Sequence, residues 1–195
     1  MKTNILLILG HPSEDSFCKA LLHAYQKGAE KSGAKCRVLY ISRLKFDVNL
    51  PDGYKTGEAM MLEDDLLSSQ KLIHWADHIV FCYPNWWGFM PAIAKGFIDR
   101  VFLPDFAFKY QSGKLFPEKL LTGKSIRLLV TMDTPKWWFY LIYRASQYHI
   151  LKNIVFGFVG FNPIKFSTFG FIRRSTDEQR NKWLRKVETL GTNFQ

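Results

Sequence analysis

The chain has 195 residues, 47% of them hydrophobic, and a formal net charge of +10. This size favours a single domain over residues 1–195, since domains usually have about 100–200 residues. No apolar run approaches the roughly 20 residues of a spanning helix, so a transmembrane protein is not expected. Residues 5–9 are interpreted as a core strand rather than a signal peptide, because no small-residue cleavage site follows them. The basic charge argues against a small acidic electron carrier and favours an anionic partner.

The three cysteines, Cys18, Cys36 and Cys82, are far apart and form no CxxC pair. A disulfide framework is therefore not expected, whereas a cytoplasmic location is. Neither Cys18 nor Cys82 is followed by the arginine of a cysteine-phosphatase loop, so all three are interpreted as buried bystanders. Nucleic acid is not an expected partner, because the lysines are dispersed and no nucleic-acid-binding module is recognisable.

Apolar runs that alternate with amphipathic stretches predict a repeating order of strands and helices. The predicted strands are residues 4–9, 36–41, 78–83, 125–131 and 163–169, and the predicted helices are 16–31, 59–75, 91–102, one within 137–156, and 176–190. Residues 45–57 and 104–123 are expected to be irregular, and Ser175 and Glu178 are expected to form a capping box. Strands separated by helices imply right-handed parallel units. The expected fold is therefore α/β, a flavodoxin-like doubly wound five-stranded parallel sheet of order 2-1-3-4-5 with helices on both faces.

A loop with two consecutive tryptophans follows the third predicted strand and comes just before a helix. Its residues are Pro84, Asn85, Trp86, Trp87 and Gly88. In an open parallel sheet, ligands bind outside the carboxyl ends of the strands. A flat aromatic cofactor needs aromatic walls and a close backbone approach, and this loop offers both. The alternative interpretation is that the tryptophans fill the core.

The loop after the first strand has the chemistry of an anion site without being a GxGxxG or P-loop motif. His11 offers a hydrogen-bond donor and Ser16 a hydroxyl. The backbone N–H groups of Ser16, Phe17 and Cys18 lie at the predicted start of a helix, which favours negative charge. The alternative interpretation is a plain helix cap by Ser13 or Ser16.

Two motifs carry a resemblance to a known family. They are Gly-His-Pro-x-x-x-Ser-Phe at residues 10–17 and Tyr-Pro-Asn-Trp-Trp-Gly-Phe-Met-Pro-Ala-Ile-Ala-Lys-Gly-Phe-Ile-Asp-Arg-Val-Phe at residues 83–102. Together they resemble the flavodoxin-like NAD(P)H:quinone oxidoreductases, which include quinone reductases, drug-activity modulators and ancillary oxidoreductases of potassium-efflux systems. The resemblance covers residues 2–190 and is weakest between 135 and 152.

The resemblance implies a flavin-dependent two-electron reductase that forms a homodimer. His11, Ser16, Phe17 and Cys18 match the flavin phosphate loop, and Asn85 to Gly88, after Pro84, match the loop beside the flavin ring. The third family loop usually reads Thr-Thr-Gly-Gly, whereas this chain has Thr131, Met132, Asp133 and Thr134 and so lacks both glycines. Tyr140 is the candidate catalytic residue, its hydroxyl donating to the acceptor's developing oxyanion. Tyr143 is its alternative.

The resemblance further implies that a hydride passes from NADH or NADPH through the flavin to a quinone-like acceptor. FMN is the expected flavin and FAD the alternative. A different class of function stays open, in which the chain is a non-catalytic binding or regulatory subunit of a membrane transporter. Purified protein that is yellow, bleached by NAD(P)H and recoloured by a quinone would favour the enzyme.

The run Trp137 to Tyr143 is apolar on nearly every side and is expected to be buried if it is a helix. A dimer interface, a quinone-lined pocket and the chain's own core are the alternatives that would bury it. Contact with a membrane surface is a further interpretation, with Lys136, Arg144 and Lys152 as basic flanks.

Four other clusters are interpreted as structural. His74 and His78 have a metal-ligand spacing, but the second begins a strand, so no metal site is expected. The carboxylates at 63–65 are expected on a solvated face, and Asp99 with Arg100 as a structural pair. Arg173 and Arg174 are interpreted as exposed arginines, with contact to a nucleotide phosphate or an acidic lipid as the alternative.

Overall fold

The computed structural model describes residues 3–50 and 62–194. Five parallel strands form one sheet: β1 (Asn4–Leu9), β2 (Lys35–Tyr40), β3 (His78–Pro84), β6 (Ser125–Thr131) and β7 (Ile164–Phe169). Their spatial order is β2-β1-β3-β6-β7, which confirms the predicted order 2-1-3-4-5. A separate two-stranded antiparallel ribbon, β4 (Phe108–Lys109) with β5 (Glu118–Lys119), lies in the segment that was expected to be irregular.

Helices cover both faces of the sheet, which is why its central strands are continuous apolar runs. The helices are α1 (Phe17–Lys31), α2 (Asp64–Trp75), α3 (Ala92–Val101), α4 (Lys136–Leu141), α5 (Ser146–His149), α6 (Gly157–Val159) and α7 (Asp177–Thr192). Alternate residues of β1 point to opposite faces. Leu6 and Ile8 belong to one core cluster, and Ile5, Leu7 and Leu9 belong to the other. The second cluster includes residues of α1 and α7, so these two helices share a face.

Several predicted boundaries need correction. Pro84 is the last residue of β3 and pairs with Thr131, rather than lying beyond the strand. The last helix is capped by Thr176, whose side chain accepts from the backbone N–H of Gln179, so the predicted box at Ser175 and Glu178 is wrong. Two predictions fall partly outside the described residues. They are the start of the second helix at residue 59, and residues 51–57 of the segment expected to be irregular.

The predicted helix within residues 137–156 is broken into pieces. α4 ends at Leu141, and Arg144 and Ala145, just before α5, adopt left-handed backbone conformations with φ of 49° and 46°. α5 then leads directly into a π-helix, Ile150–Phe156, which continues into α6. Of the run 137–143, only Phe139 is buried. The expectation that this run is buried is therefore wrong within the single chain.

The charged clusters 63–65 and 99–100 form a link that the sequence did not predict. Arg100 is almost fully buried and donates to a carboxylate oxygen of Glu63 at 2.7 Å, and to the carbonyl oxygens of Asp47 and Asn49. Asp99 pairs instead with Lys95. The arginine therefore holds the chain after β2 against α2 and α3, since a buried guanidinium needs partners for its donors.

No helix among the described residues is long and apolar enough to cross a membrane.

Candidate functional site

A crevice of about 280 Å³ opens at the carboxyl ends of β1, β3 and β6. It lies between three loops, each of which continues one of these strands. This is the position that an open α/β sheet offers to a ligand, and the volume is just below the usual range for ligand sites, about 300–1,000 Å³. The residues that line it are His11, Asp15, Ser16, Phe17, Cys18, Pro84, Asn85, Trp86, Thr131, Met132, Asp133, Ile172 and Arg173.

The first loop ends in a helix start with free donors. Ser16 is the N-cap of α1, and its side chain accepts from the backbone N–H of Lys19. The N–H groups of Phe17 and Cys18 have no acceptor within residues 3–50 and 62–194. The first N–H groups of a helix lack intrahelical partners, and this end of the helix dipole is positive. This part of the crevice therefore suits an anionic group.

His11 presents a defined hydrogen-bond donor to the same loop. Its Nδ1 accepts from the backbone N–H of Ser13 at 2.9 Å, so the proton of the neutral ring resides on Nε2. Burial lowers the pKa of His11 below its usual value. The ring is therefore neutral at pH 7 and acts as a donor through Nε2.

Two carboxylates, Glu14 and Asp15, lie near this anion-binding end, and they differ in their partners and position. Glu14 is held by Arg43 and Lys19, and the hydrogen bond from Arg43 is the main reason that its pKa is lowered. Its charge is thus compensated away from the crevice. Asp15 is exposed and lines the crevice, so the loop does not turn both of its carboxylates away from the site.

The second loop is a tight turn that separates its two tryptophans. Trp86 and Phe89 exchange backbone hydrogen bonds of 2.8 and 3.1 Å across Trp87 and Gly88. Both turn residues have positive φ, 53° and 84°, as in a type I′ turn. Trp86 lines the crevice, and its ring lies 5.6 Å from that of His11 in an edge-on contact. Trp87 is fully exposed, so the predicted second aromatic wall and the predicted contact of Gly88 are not formed by the single chain.

Asn85 lines the crevice and has an unsatisfied acceptor on its side chain. Its backbone N–H donates to the carbonyl of Thr131 at 2.7 Å, which fixes the start of the second loop against the third. Its side-chain Oδ1 is buried and has no hydrogen-bond partner in the described part of the chain. A buried polar group without a partner costs about 1–3 kcal/mol, so this oxygen is suited to a donor that a ligand brings.

The third loop closes the crevice through an ion pair. The Oγ1 of Thr131 lies 3.2 Å from the Sγ of Cys18, and this contact joins the first and third loops. Asp133 accepts from the backbone N–H and the Nε of Arg173, at 2.9 and 3.1 Å. Arg173 is exposed, as the sequence predicted, and together with Ile172 it lines the crevice. The consecutive arginines at 173 and 174 were a sequence signal for a site residue at Arg173, whereas no sequence pattern pointed to Ile172. Thr134 does not line the crevice.

The candidate catalytic residue Tyr140 lies outside the residues that line the crevice. Its hydroxyl is 3.0 Å from Oγ1 of Thr168, which is 2.6 Å from the hydroxyl of Tyr148. Burial raises the pKa of Tyr148 well above its usual value, so this phenol stays protonated. Tyr143 is exposed and lies outside the lining residues too. The structure thus does not bring either tyrosine to the other predicted site residues.

Residues 3–190 match a protein family described as having a flavodoxin-like fold. The chain belongs to this family. An uncharacterized NAD(P)H oxidoreductase of Haemophilus influenzae is 28% identical over 181 residues, which cover 91% of this chain and 88% of the relative. The predicted enzyme class, an oxidoreductase, is confirmed by relatives of this kind.

Solved structures confirm the fold of this flavodoxin-like protein. Smu.1420 from Streptococcus mutans has a TM-score of 0.84 at 32% identity, covering 98% of this chain and all of the other. An NAD(P)H:quinone oxidoreductase from Methanothermobacter marburgensis has a TM-score of 0.81 at 21% identity, covering 100% and 98%. An FMN-dependent NADH-azoreductase from Bacillus anthracis, solved with FMN, has a TM-score of 0.73 at 15% identity, covering 98% and 99%. The last two likenesses show the shared fold.

Proposed function

We propose that this chain is an NAD(P)H oxidoreductase that holds a flavin in the crevice and reduces a quinone-like acceptor. The observation that carries the proposal is the buried, unpartnered Oδ1 of Asn85, a residue that lines the same crevice as the free N-terminus of α1. A flavin mononucleotide has an N–H on its ring and a phosphate on its tail, which are the two groups that these features require. FMN, the smaller of the two flavins, is proposed over FAD.

The residues present fit such a group at both ends. The N–H groups of Phe17 and Cys18, with His11 through Nε2, would bind the phosphate. At the ring end, Asn85 would accept a hydrogen bond, and the ring of Trp86 would cover one side. Asp133 and Thr134 replace the two glycines of the usual third loop. These side chains do not fill the crevice, because Asp133 pairs with Arg173 and Thr134 is not among the lining residues.

When bound, a flavin supplies reversible two-electron transfer between NADH or NADPH and the acceptor. The chain's own contribution is to position that group and to compensate charge. The N–H donors at the start of α1 and the Nε2 donor of the neutral His11 would receive the phosphate charge. Arg43 compensates the charge of Glu14, whereas the carboxylate of Asp15 stays at the crevice. Arg173, held by Asp133 at the open side of the crevice, is placed to attract the anionic nucleotide.

Titration of purified protein with FMN and with FAD tests the proposal. We expect the absorbance of the bound flavin to be bleached by NADH or NADPH and restored by a soluble benzoquinone. Identification of the flavin released from protein purified from cells then separates FMN from FAD. A protein that binds neither flavin would refute the proposal.

Replacement Asn85→Ala tests the residue that carries the argument. Loss of one hydrogen bond to the ring is expected to weaken FMN binding by about three- to tenfold. The flavin-free protein should be as stable as the parent or more stable, since the substitution removes an unpartnered buried oxygen. Calorimetric titration with FMN and urea unfolding of the flavin-free protein measure the two effects. The control is Asn153→Ala, at an exposed asparagine outside the crevice. A large loss of flavin-free stability would instead assign Asn85 a structural role.

Two further assignments remain predictions. A homodimer and a hydrogen bond from Tyr140 to the acceptor rest on the family resemblance, and Tyr140 would need the acceptor to extend beyond the crevice. The alternative of a transporter subunit has no observation in its favour, because the relatives named above by function are oxidoreductases.

A further inference from the structure

A solvent-exposed group of large apolar side chains surrounds α4. It consists of Trp137, Trp138, Leu141, Ile142 and Tyr143, here called the aromatic face. Trp137 and Leu141 are 58% and 70% exposed, and the other three are exposed as well. Soluble chains rarely leave so many large apolar side chains together in water unless the surface meets a partner.

The side chains of the aromatic face touch one another and are held in place from below. The ring of Trp138 lies 5.4 Å from that of Trp137 and 6.3 Å from that of Tyr143, edge-on in both cases. Phe139 is 2% exposed and packs its ring against that of Tyr148, 5.1 Å away. One buried ring therefore fixes the segment to the core while its neighbours point outward.

The segment that carries the aromatic face has charged residues of a single sign. From Thr134 to Thr176 the sequence contains no aspartate or glutamate, whereas it contains six lysines and arginines. Two of them, Lys136 and Arg144, directly flank the aromatic face, and both residues are exposed. Neither makes an ion pair within residues 3–50 and 62–194. No carboxylate of residues 134–176 therefore compensates the charge of Lys136 and Arg144 at this surface.

We propose that the aromatic face docks on the surface of a bilayer that contains anionic lipids. Tryptophan and tyrosine favour the boundary between acyl chains and headgroups, because their rings are apolar and each has a polar atom. Leu141 and Ile142 would enter the acyl boundary, while Lys136 and Arg144 would lie among the headgroup phosphates. The chain would lie on the membrane without crossing it.

A second copy of this chain fits the same face less well. In a two-fold dimer the same patch appears on both sides of the interface. Lys136 and Arg144 of each copy would then need carboxylates from outside the segment between residues 134 and 176 of the other copy, because that segment contains none. An anionic bilayer supplies the missing charge, so charge complementarity decides for the membrane surface.

Vesicle sedimentation of the full chain, without flavin or nucleotide, tests the proposal independently of the proposed function. We expect binding to phosphatidylcholine vesicles that contain phosphatidylglycerol, and little binding to phosphatidylcholine alone. Binding should weaken strongly between about 0.1 M and 1 M salt, over which the Debye length falls from about 10 Å to 3 Å. The double variant Trp137→Ser with Leu141→Ser should bind at least about tenfold more weakly, since it loses two buried apolar side chains.

The matched control carries Leu115→Ser and Phe116→Ser, which remove two apolar side chains that are 88% and 76% exposed elsewhere on the surface. This control should bind as the parent does. Circular dichroism and urea unfolding show whether each variant is folded. Equal binding by both double variants, equal binding to neutral vesicles, or no binding at all would overturn the proposal. A fall in molecular mass of the first variant without lipid would also overturn it, by assigning the face to a second copy.

Discussion

Replacing Gly28 by alanine is expected to destabilise the protein by about 3 kcal/mol, because it would force two packed helices apart. A Cβ atom at Gly28 would lie 1.9 Å from the carbonyl oxygen of Glu188 in α7. That oxygen belongs to the backbone and cannot rotate away. The contact is reciprocal, since a Cβ at Gly191 of α7 would lie 2.1 Å from the carbonyl oxygen of Tyr25 in α1. The two helices thus touch backbone to backbone at two glycines.

Urea unfolding followed by circular dichroism measures this effect. The control is Glu30→Ala, a change to the same residue type at an exposed position of the same helix. It should alter the free energy of unfolding by less than about 0.5 kcal/mol, as most surface substitutions do. If Gly28→Ala is as mild as this control, α1 and α7 adjust their spacing and the close packing described here is not required.

Much of the sheet could be predicted from the sequence because its signals are local. The strands at residues 4–9 and 125–131 are apolar runs with clear ends, and the observed bounds agree with the prediction. The order of strands then follows from the handedness of parallel crossovers and from the fold that they imply. The pair of glycines between α1 and α7 had no such signal, since a close approach between distant helices leaves no periodic pattern.

The candidate site was predictable where its residues are continuous with a strand end. His11 and Ser16 follow β1, Asn85 and Trp86 follow β3, and the structure brings them together because β1 and β3 are neighbours. Trp87 differs from Trp86 because of the turn. A two-residue turn with positive φ at both positions directs the second ring to solvent, which composition alone does not reveal.

The segment after β6 was the least predictable part of the chain. Its apolar character predicts burial, but whether a side chain finds a partner depends on tertiary packing rather than on hydrophobicity. Phe139 is covered by Tyr148, while Trp137 and Leu141 are not covered. The left-handed conformation of Arg144 and Ala145, which breaks the helix, likewise occurs at residues that do not favour it.

Lowering the pH from 7 to 5 is expected to cost about 2 kcal/mol of stability through His78 alone. The His78 ring is buried between Tyr25, whose hydroxyl is 3.0 Å from Nε2, and Ser125, whose Oγ is 2.7 Å from Nδ1. Burial lowers the pKa of His78 to about 4, and the nearby cations Arg127 and Lys165 add to the effect. In the unfolded chain the same ring has a pKa of about 6.5. The unfolded state therefore binds a proton first as the pH falls, so the stability is complete above about pH 6.5 and is lost progressively towards pH 4.

Urea unfolding at several pH values between 7 and 5, on the parent and on His78→Gln, isolates this contribution. The variant keeps a polar side chain for its two hydroxyl neighbours but cannot titrate, so its stability should depend less on pH by about 2 kcal/mol across the range. The range stops at pH 5 because Glu14, Glu63 and Glu188, whose pKa values are lowered, lose their contributions only at more acidic pH. Any slope that remains in the variant is expected to come from His11, whose pKa burial also lowers. Parallel pH profiles for parent and variant would mean that His78 is protonated without cost, and hence that water reaches its ring in the folded protein.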